Sequence, residues 1–369
     1  MKLTPNPQLG GTAGRTVVPD HAEFDCLVGP HRRELRLHCY RMLGSGDEAE
    51  DSVQETLVRA WRGFASLDQR EALRGWLYRI ATNVCLDTLA SRRHARRLFP
   101  QLEGPATAKM PDGVPDNEAG WLEPYPDQHL ADIPDGKPGP EARYETHEAV
   151  RLAFVAVIQR LPPRQRAVVL LCDVMGWSAQ ETAALMGGSL ASINSALQRA
   201  RTTLARHQGT APPLSPTDAA QSRVLDRYLD VWEKRDLAGF AGLLHQEAVF
   251  CMPPWRQWYR GRADIRRFFD WAWGHYEGFR LLPTAANRQP AFAAYSRQSP
   301  GSWRPHSIQL LEIQAGSITG LTLFMQPLDH VLELLHLAAA IAAGAVARHR
   351  RKETQRVVAP VIAQPAINQ

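Results

Sequence analysis

Cysteine is scarce in this chain: five in 369 residues (Cys26, Cys39, Cys85, Cys172, Cys251), placed singly, with no CxxC and no His–Cys cluster. That spacing argues against a disulfide scaffold and a structural zinc site. It makes a reduced cytoplasm the expected location. Long apolar runs are also missing. Near one end, Leu334 to Ala347 is interrupted by His336 and falls short of the roughly 20 residues a membrane span needs. Met1 to Asp20 is rich in Pro, Gly and Thr and lacks the apolar core of a signal peptide. No membrane association is expected, and nothing in the motifs asks for a metal or a cofactor. No internal repeat is visible. The composition is globular, 44% apolar and 22% charged with a net charge of +5, and the length suggests two or three domains. Modest positive charge suits a nucleic-acid partner without requiring one.

Charge and proline mark the boundaries. After an extension expected to be disordered (1–20), residues 21–99 carry apolar positions at three- and four-residue spacing throughout, an all-α pattern. Arginines thicken at its end: Arg92, Arg93, Arg96 and Arg97. Residues 100–140 reverse the sign with acids such as Glu103, Asp112, Asp116, Glu118, Glu123 and Asp127, set among recurrent prolines. This reads as a linker, extended or disordered by itself. Helix resumes over 141–208, broken at Pro162-Pro163 and Gly187-Gly188, and a second linker spans 209–219. Residues 220–330 change grammar to α+β: a helical pair over Gln221–Ala241, then strand-like runs at Ala248–Met252, Ala291–Tyr295, Ser307–Ile313 and Ile318–Phe324. Ala315-Gly316-Ser317 sits between two of these as a hairpin turn. An Ala-rich helix and tail close the chain (331–369).

Three stretches carry chemistry. Ser178-Ala179-Gln180-Glu181 is a capping box that starts a short helix through Met186. Gly187-Gly188 turns the chain, and Ser189 caps a second helix to about Arg206. Ile193, Leu197, Ala200 and Leu204 share one face of that helix. Ser192, Asn194, Ser195, Gln198, Arg199 and Arg201 occupy the others, side chains able to bond base edges or phosphates. The layout fits a helix-turn-helix; an ordinary helical hairpin with a solvated face fits the same pattern. Earlier, Asp47, Glu48, Glu50, Asp51 and Glu55 crowd a helix start ahead of Val53, Leu57, Val58 and Trp61. Dipole capping and a docking face for a basic partner account for them equally. Between the two, Trp76 and Tyr78 interleave with Arg74, Arg79, Asn83, Arg92 and Arg93, as a single-stranded DNA surface would and as a plain core would.

Taken in order, these motifs resemble the extracytoplasmic-function (ECF) sigma factors of bacterial RNA polymerase, within the sigma-70 family, in the subgroup with a SnoaL-like C-terminal domain. Arg33-Glu34-Leu35 through Met42, Ala49-Glu50-Asp51-Ser52-Val53-Gln54-Glu55 through Trp61, and Trp76-Leu77-Tyr78-Arg79 through Asn83 match region 2. Leu161-Pro162-Pro163-Arg164-Gln165-Arg166 and Asn194-Ser195-Ala196-Leu197-Gln198-Arg199-Ala200-Arg201 match region 4. Trp121-Leu122-Glu123-Pro124 matches the subgroup's linker, and Met252-Pro253-Pro254, Trp258-Tyr259-Arg260-Gly261 and Ala286-Asn287-Arg288-Gln289-Pro290 its extra domain. The resemblance covers most of Phe24 to Phe324.

The resemblance implies two all-α sigma domains, a region 2 bundle and a region 4 helix-turn-helix, followed by an α+β SnoaL-like (NTF2-like) cone. It implies core RNA polymerase and promoter DNA as partners. Asp51, Gln54, Glu55, Val58 and Trp61 would meet the β′ clamp helices, and region 4 the β flap. Arg74, Trp76, Arg79, Asn83, Arg92 and Arg93 would act at the −10 element. Ser192, Asn194, Ser195, Gln198, Arg199 and Arg201 would act at the −35 element, and the acidic linker would thread the polymerase cleft. Ser52 stands where relatives usually carry Leu, which implies one weaker clamp contact. Trp255, Trp258, Tyr259 and Arg260 are assigned to a contact with the sigma core or to pocket lining. The cone leaves room for a small ligand; Asp264, His245, His275 and His306 are its candidate bases, but none sits in a motif that defines a catalytic pair. The expectation is a sigma factor regulated by its C-terminal domain and not itself an enzyme. The alternatives are a ligand-responsive helix-turn-helix regulator and a SnoaL-type cyclase or isomerase. The sequence names no anti-sigma partner.

Overall fold

A computed structural model describes residues 21–67, 72–92, 96–112, 114–130, 148–207, 218–299 and 302–325. The expectations for 1–20, for the Gly209–Pro216 break, for Arg93 and for the Ala-rich helix and tail lie outside those residues.

Four helices form the first domain: α1 (His21–Val28), α2 (Arg32–Leu43), α3 (Gly46–Gly63) and α4 (Leu73–Ser91). Gly44 ends α2 in the left-handed conformation (φ 70°), which costs glycine no Cβ clash. One residue on, the Ser45 hydroxyl accepts the Glu48 N–H at 3.3 Å and starts α3. The buried stripes of α2 (Leu35, Cys39, Met42), α3 (Val53, Leu57, Ala60) and α4 (Leu77, Ala81, Cys85) meet in one core, as three- and four-residue spacing dictates.

The second domain holds α5 (Leu152–Ile158), α6 (Pro163–Val169), a π-helical turn (Leu170–Val174), α7 (Ala179–Met186) and α8 (Leu190–His207). The Ser178/Glu181 capping box closes in both directions, and Gly187 takes φ 63° between α7 and α8.

The C-terminal domain packs α9 (Asp218–Lys234), α10 (Leu237–Leu243) and α11 (Arg262–Trp273) on a six-stranded sheet. Its strands are β1 (Leu244–Cys251), β2 (Trp258–Arg260), β3 (Phe279–Ala286), β4 (Gln289–Ser299), β5 (Ser302–Gln314) and β6 (Ser317–Phe324), in the order β2-β1-β6-β5-β4-β3. Only the β1–β6 pair is parallel. The sequence pattern did not register α11, β2 or β3. Pro283 reads as a strand breaker, but β3 is the edge strand, where a missing N–H leaves no ladder bond unmade.

Both faces of this sheet are buried, and strand alternation separates them. Phe292 and Ala294 of β4, with Leu281, Phe250, Leu311 and Leu323, join α9–α11 in an aromatic-rich core. Ala291, Ala293 and Tyr295, with Cys251, Ile308, Leu310 and Phe324, belong to the same core as the two helical domains. The linker seals this arrangement and is no free tether over 96–112 and 114–130. Leu98 pairs with Trp121, and Leu122, Tyr125 and Leu130 are buried.

Candidate functional site

Asp51, Gln54, Glu55 and Val58 lie at i, i+3, i+4 and i+7 on α3 and are all exposed; Val58 is 43% accessible, unusual for a large apolar side chain. Glu55 holds Arg59 at 2.7 Å. Trp61 is half-buried: its ring stacks on His21 with centroids 4.0 Å apart and meets Phe24 edge-on. Ser52 is on the opposite side, buried, its carbonyl accepting the Thr56 hydroxyl at 2.6 Å. The expected weak clamp contact at Ser52 is therefore corrected: a smaller residue there alters helix packing, not the exposed face.

The −10 candidates divide in the same way. Arg79 and Asn83 are exposed at i, i+4 on α4. Trp76 is half-buried, and its ring would sit 3.1 Å from a Cβ at Gly63. Arg74 grips Glu34 at 2.9 and 3.1 Å and lies over the Tyr78 ring. Arg92 is the clearest departure. Its guanidinium and that of Arg97 both bond Glu48, and burial lowers the Arg92 pKa to about 10. It ties the end of α4 to the start of α3 and faces inward, not toward DNA.

On α8, Ser192, Asn194, Ser195, Gln198 and Arg199 are exposed. Arg201 is not part of that surface. Its guanidinium forks onto Asp173 (Nε–Oδ2 3.0 Å, Nη2–Oδ1 2.5 Å), a carboxylate with no solvent exposure in the π-helical turn. A bidentate pair of this kind fixes geometry, so Arg201 locks α8 against the turn before α7.

A junction the motif reading did not assign joins all three domains. The β3–β4 turn is two residues, Asn287 and Arg288, both at positive φ (55° and 56°), a type I′ turn that Asn tolerates and Arg does not favour. Asn287 is fully buried. Its N–H donates to the Tyr125 carbonyl at 2.8 Å, and its Oδ1 accepts the Tyr125 N–H at 2.9 Å. Its Nδ2 donates to the Tyr40 hydroxyl on α2 at 2.9 Å and to the Val150 carbonyl, ahead of α5, at 2.8 Å. The Arg288 N–H donates to Asp127 at 2.8 Å, and the Leu152 N–H to Gln289 at 3.1 Å. Asp127 Oδ2 is sealed from solvent with no hydrogen-bond partner, and burial pushes that carboxyl from 3.8 up to about 6.

Around it, the linker lies across the C-terminal domain. The Trp258 indole donates to the Gly104 carbonyl at 2.8 Å and the Tyr259 hydroxyl to the Lys109 carbonyl at 2.9 Å. Arg260 stacks over Trp258, while Trp255 closes a backbone turn onto Met252. Arg256, unremarked in the sequence reading, holds Asp116 at 2.6 Å. The two helical domains also touch. Arg166, buried with its pKa lowered to about 9 by desolvation, donates to the Met42 carbonyl and to three carbonyls of 158–161. The Tyr78 and Trp177 rings meet at 5.3 Å.

The candidate bases of the C-terminal domain are dispersed. Asp264 pairs with Arg267 at 2.6 Å, His275 bonds the Trp271 carbonyl, His245 accepts the Glu247 N–H, and His306 is buried beside Ser307 with its pKa lowered to about 4. Among the described residues, no helix is long and apolar enough to cross a membrane.

Family models match sigma-70 region 2 over residues 27–95, sigma-70 region 4 over 151–204 and a SnoaL-like domain over 225–320. The chain is 40% identical over 323 residues to the ECF RNA polymerase sigma factor SigG of Mycobacterium tuberculosis, covering 86% of this chain and 85% of that one. It belongs to the ECF sigma factors. The SigE sigma factor of Mycolicibacterium smegmatis is 31% identical over 207 residues, 55% of this chain and 69% of its own. The crystal structure of M. tuberculosis SigJ shares the fold, with a TM-score of 0.53 at 22% identity over 84% of this chain and 97% of that one. As an ECF sigma factor, the protein binds RNA polymerase and directs initiation at specific promoters. The junction at Asn287 thus connects both sigma domains of this ECF factor to its SnoaL-like domain.

Two outcomes follow from the geometry. Arg199, exposed and bonded to Ser195 of its own helix, should be replaceable by alanine with unfolding unchanged. Arg201→Ala should instead remove a bidentate partner of the buried Asp173 and cost about 2–4 kcal/mol of stability, so denaturant unfolding of the two variants separates the surface arginine from the structural one. Second, docking raises the Asp127 pKa, so docking binds a proton. The stabilisation is full below about 4 and is lost as pH rises through about 6. Asp127→Asn should keep docking firm at pH 7 and flatten that window, measured by limited proteolysis of the linker between pH 5 and 7.5.

Proposed function

We propose that the SnoaL-like domain is a built-in clamp that holds regions 2 and 4 in a closed arrangement, and that initiation requires its release. The observation that carries this is the buried Asn287 side chain, bonded to α2, to the linker and to the entry of region 4 at once. The −35 and −10 elements lie about 25 base pairs apart, roughly 85 Å at 3.4 Å per base pair. In the closed arrangement α4 packs against α7, which keeps the two promoter-reading faces together; release lets them separate toward that spacing. Opening separates Arg166 from Met42 and Trp177 from Tyr78.

In this reading the exposed α3 face of Asp51, Gln54, Glu55 and Val58 meets the β′ clamp helices, with Trp61 at its margin. Arg79, Asn83 and the Trp76 edge act at the −10 element. Ser192, Asn194, Ser195, Gln198 and Arg199 act at the −35 element, and region 4 engages the β flap. In this reading the C-terminal domain acts as a regulator through its docking contacts.

Asn287→Ala removes three side-chain bonds, a loss of about 2–4 kcal/mol from the docked state. Run-off transcription with core polymerase should rise while upstream-element binding is retained. Transcription that stays level or falls while proteolysis shows the domain undocked would refute the clamp. Charge reversal of Asp51 and Glu55 together should weaken core binding at least tenfold with the thermal midpoint unchanged; equal core affinity would remove that face from the polymerase contact.

A further inference from the structure

Among the described residues, one of the exposed large apolar side chains lies at the start of the second helix of the helix-turn-helix. Leu190, the first residue of α8, is 49% accessible. It stands at i, i+4 and i+8 with Asn194 and Gln198, so it belongs to the same stripe as two exposed polar residues. Its chain neighbours Ser189 and Ala191 are exposed too, as is Ser192. The buried face of α8 begins only at Ile193 and continues through Ala196, Leu197, Ala200 and Leu204. Leu190 therefore adds nothing to the helical core and costs solubility where it is. The Ser189 hydroxyl accepts the Ser192 N–H at 3.2 Å and holds the first turn of α8 in shape, so the leucine is presented from ordered backbone.

We propose that Leu190 is a specificity-determining residue that reads the 5-methyl group of a thymine in the upstream promoter element. This rests on the reading above that α8 enters the major groove there. In such docking the N-terminal end of the second helix approaches the base edges. The thymine methyl is the one apolar group the major-groove edge displays, and an apolar side chain is its match. Asn194 and Gln198, one and two turns further on, supply the hydrogen-bonding part of the same stripe. A leucine at this position discriminates T from C through the methyl, which a serine or asparagine could not do.

The test uses the full chain with core polymerase on a promoter recovered by run-off transcription from genomic fragments. Each thymine of the upstream element, on either strand, is replaced singly by deoxyuridine, which deletes only the methyl. At one or two positions the unaltered protein should bind about three- to fivefold more weakly, the worth of one buried methyl. Leu190→Ala and Leu190→Ser should bind the thymine template weaker by a similar factor and lose the thymine–uracil difference. If uracil is tolerated at every position by the unaltered protein, or if the Leu190 variants still discriminate, the assignment is overturned. Arg199→Ala and Asn194→Ala run in parallel: if neither alters upstream binding, the placement of α8 itself fails. If they do alter it while uracil has no effect, only the role of Leu190 fails.

Discussion

One buried amide, that of Asn287, sets the relation between three domains. An asparagine side chain carries two donors and two acceptor sites, and burying it is costly unless they are met. Here Oδ1 is met by the linker and Nδ2 by α2 and the approach to α5. Those partners come from residues 125, 40 and 150, so the amide is satisfied only when all three units are in place. The same requirement holds the turn. Arg288 sits in a left-handed conformation that its own side chain disfavours, and the Asp127 carboxylate accepting its N–H offsets part of that strain. A sheet with two apolar faces makes this docking stable: uncovered, the row of Ala291, Ala293, Tyr295, Ile308 and Leu310 would meet water.

The linker explains why acidity and proline occur together. Pro124 and Pro126 have no N–H to satisfy, so a strap rich in proline presents mostly carbonyls, and the donors of Tyr40, Trp258 and Tyr259 find acceptors at Glu123, Gly104 and Lys109. Its acids are also engaged. Glu103 holds Arg96 and Arg160, Asp116 holds Arg256, and Glu123 accepts the Gly46 N–H. These three carboxylates are thus tied into the closed arrangement, while Asp112 and Glu118 stay exposed.

Helix boundaries and the turn between α7 and α8 were legible because capping is local: Ser178, Glu181 and Gly187 act within four residues of themselves. The hairpin at Ala315-Gly316 was legible for the same reason. What stayed hidden depends on sequence separation. Nothing near Asn287 announces that it bonds residues 125, 40 and 150, and β3 is disguised by Pro283 because edge position is a property of the whole sheet. The resemblance placed Ala286-Asn287-Arg288 in a motif without assigning it a partner. Arg201 failed differently: residue type and helix position fit DNA, and only the burial of Asp173, 28 residues earlier, redirects it.

That last case generalises into a way of sorting this protein's arginines. Arg74, Arg92, Arg97 and Arg201 have carboxylate partners in the fold, and three of them are at least partly withdrawn from water, where losing the partner is expensive. Using such a guanidinium on a phosphate would mean leaving a carboxylate behind. Arg79 and Arg199 have no carboxylate partner among the described residues; Arg199 bonds the Ser195 hydroxyl on its own helix. An exposed side chain held by a neutral local contact can be transferred to a ligand at little loss. The guanidinium groups free to change partner are therefore those without a carboxylate among the described residues, and in the proposed reading Arg79 beside Asn83 on α4 and Arg199 in the polar face of α8 are the ones turned to promoter DNA.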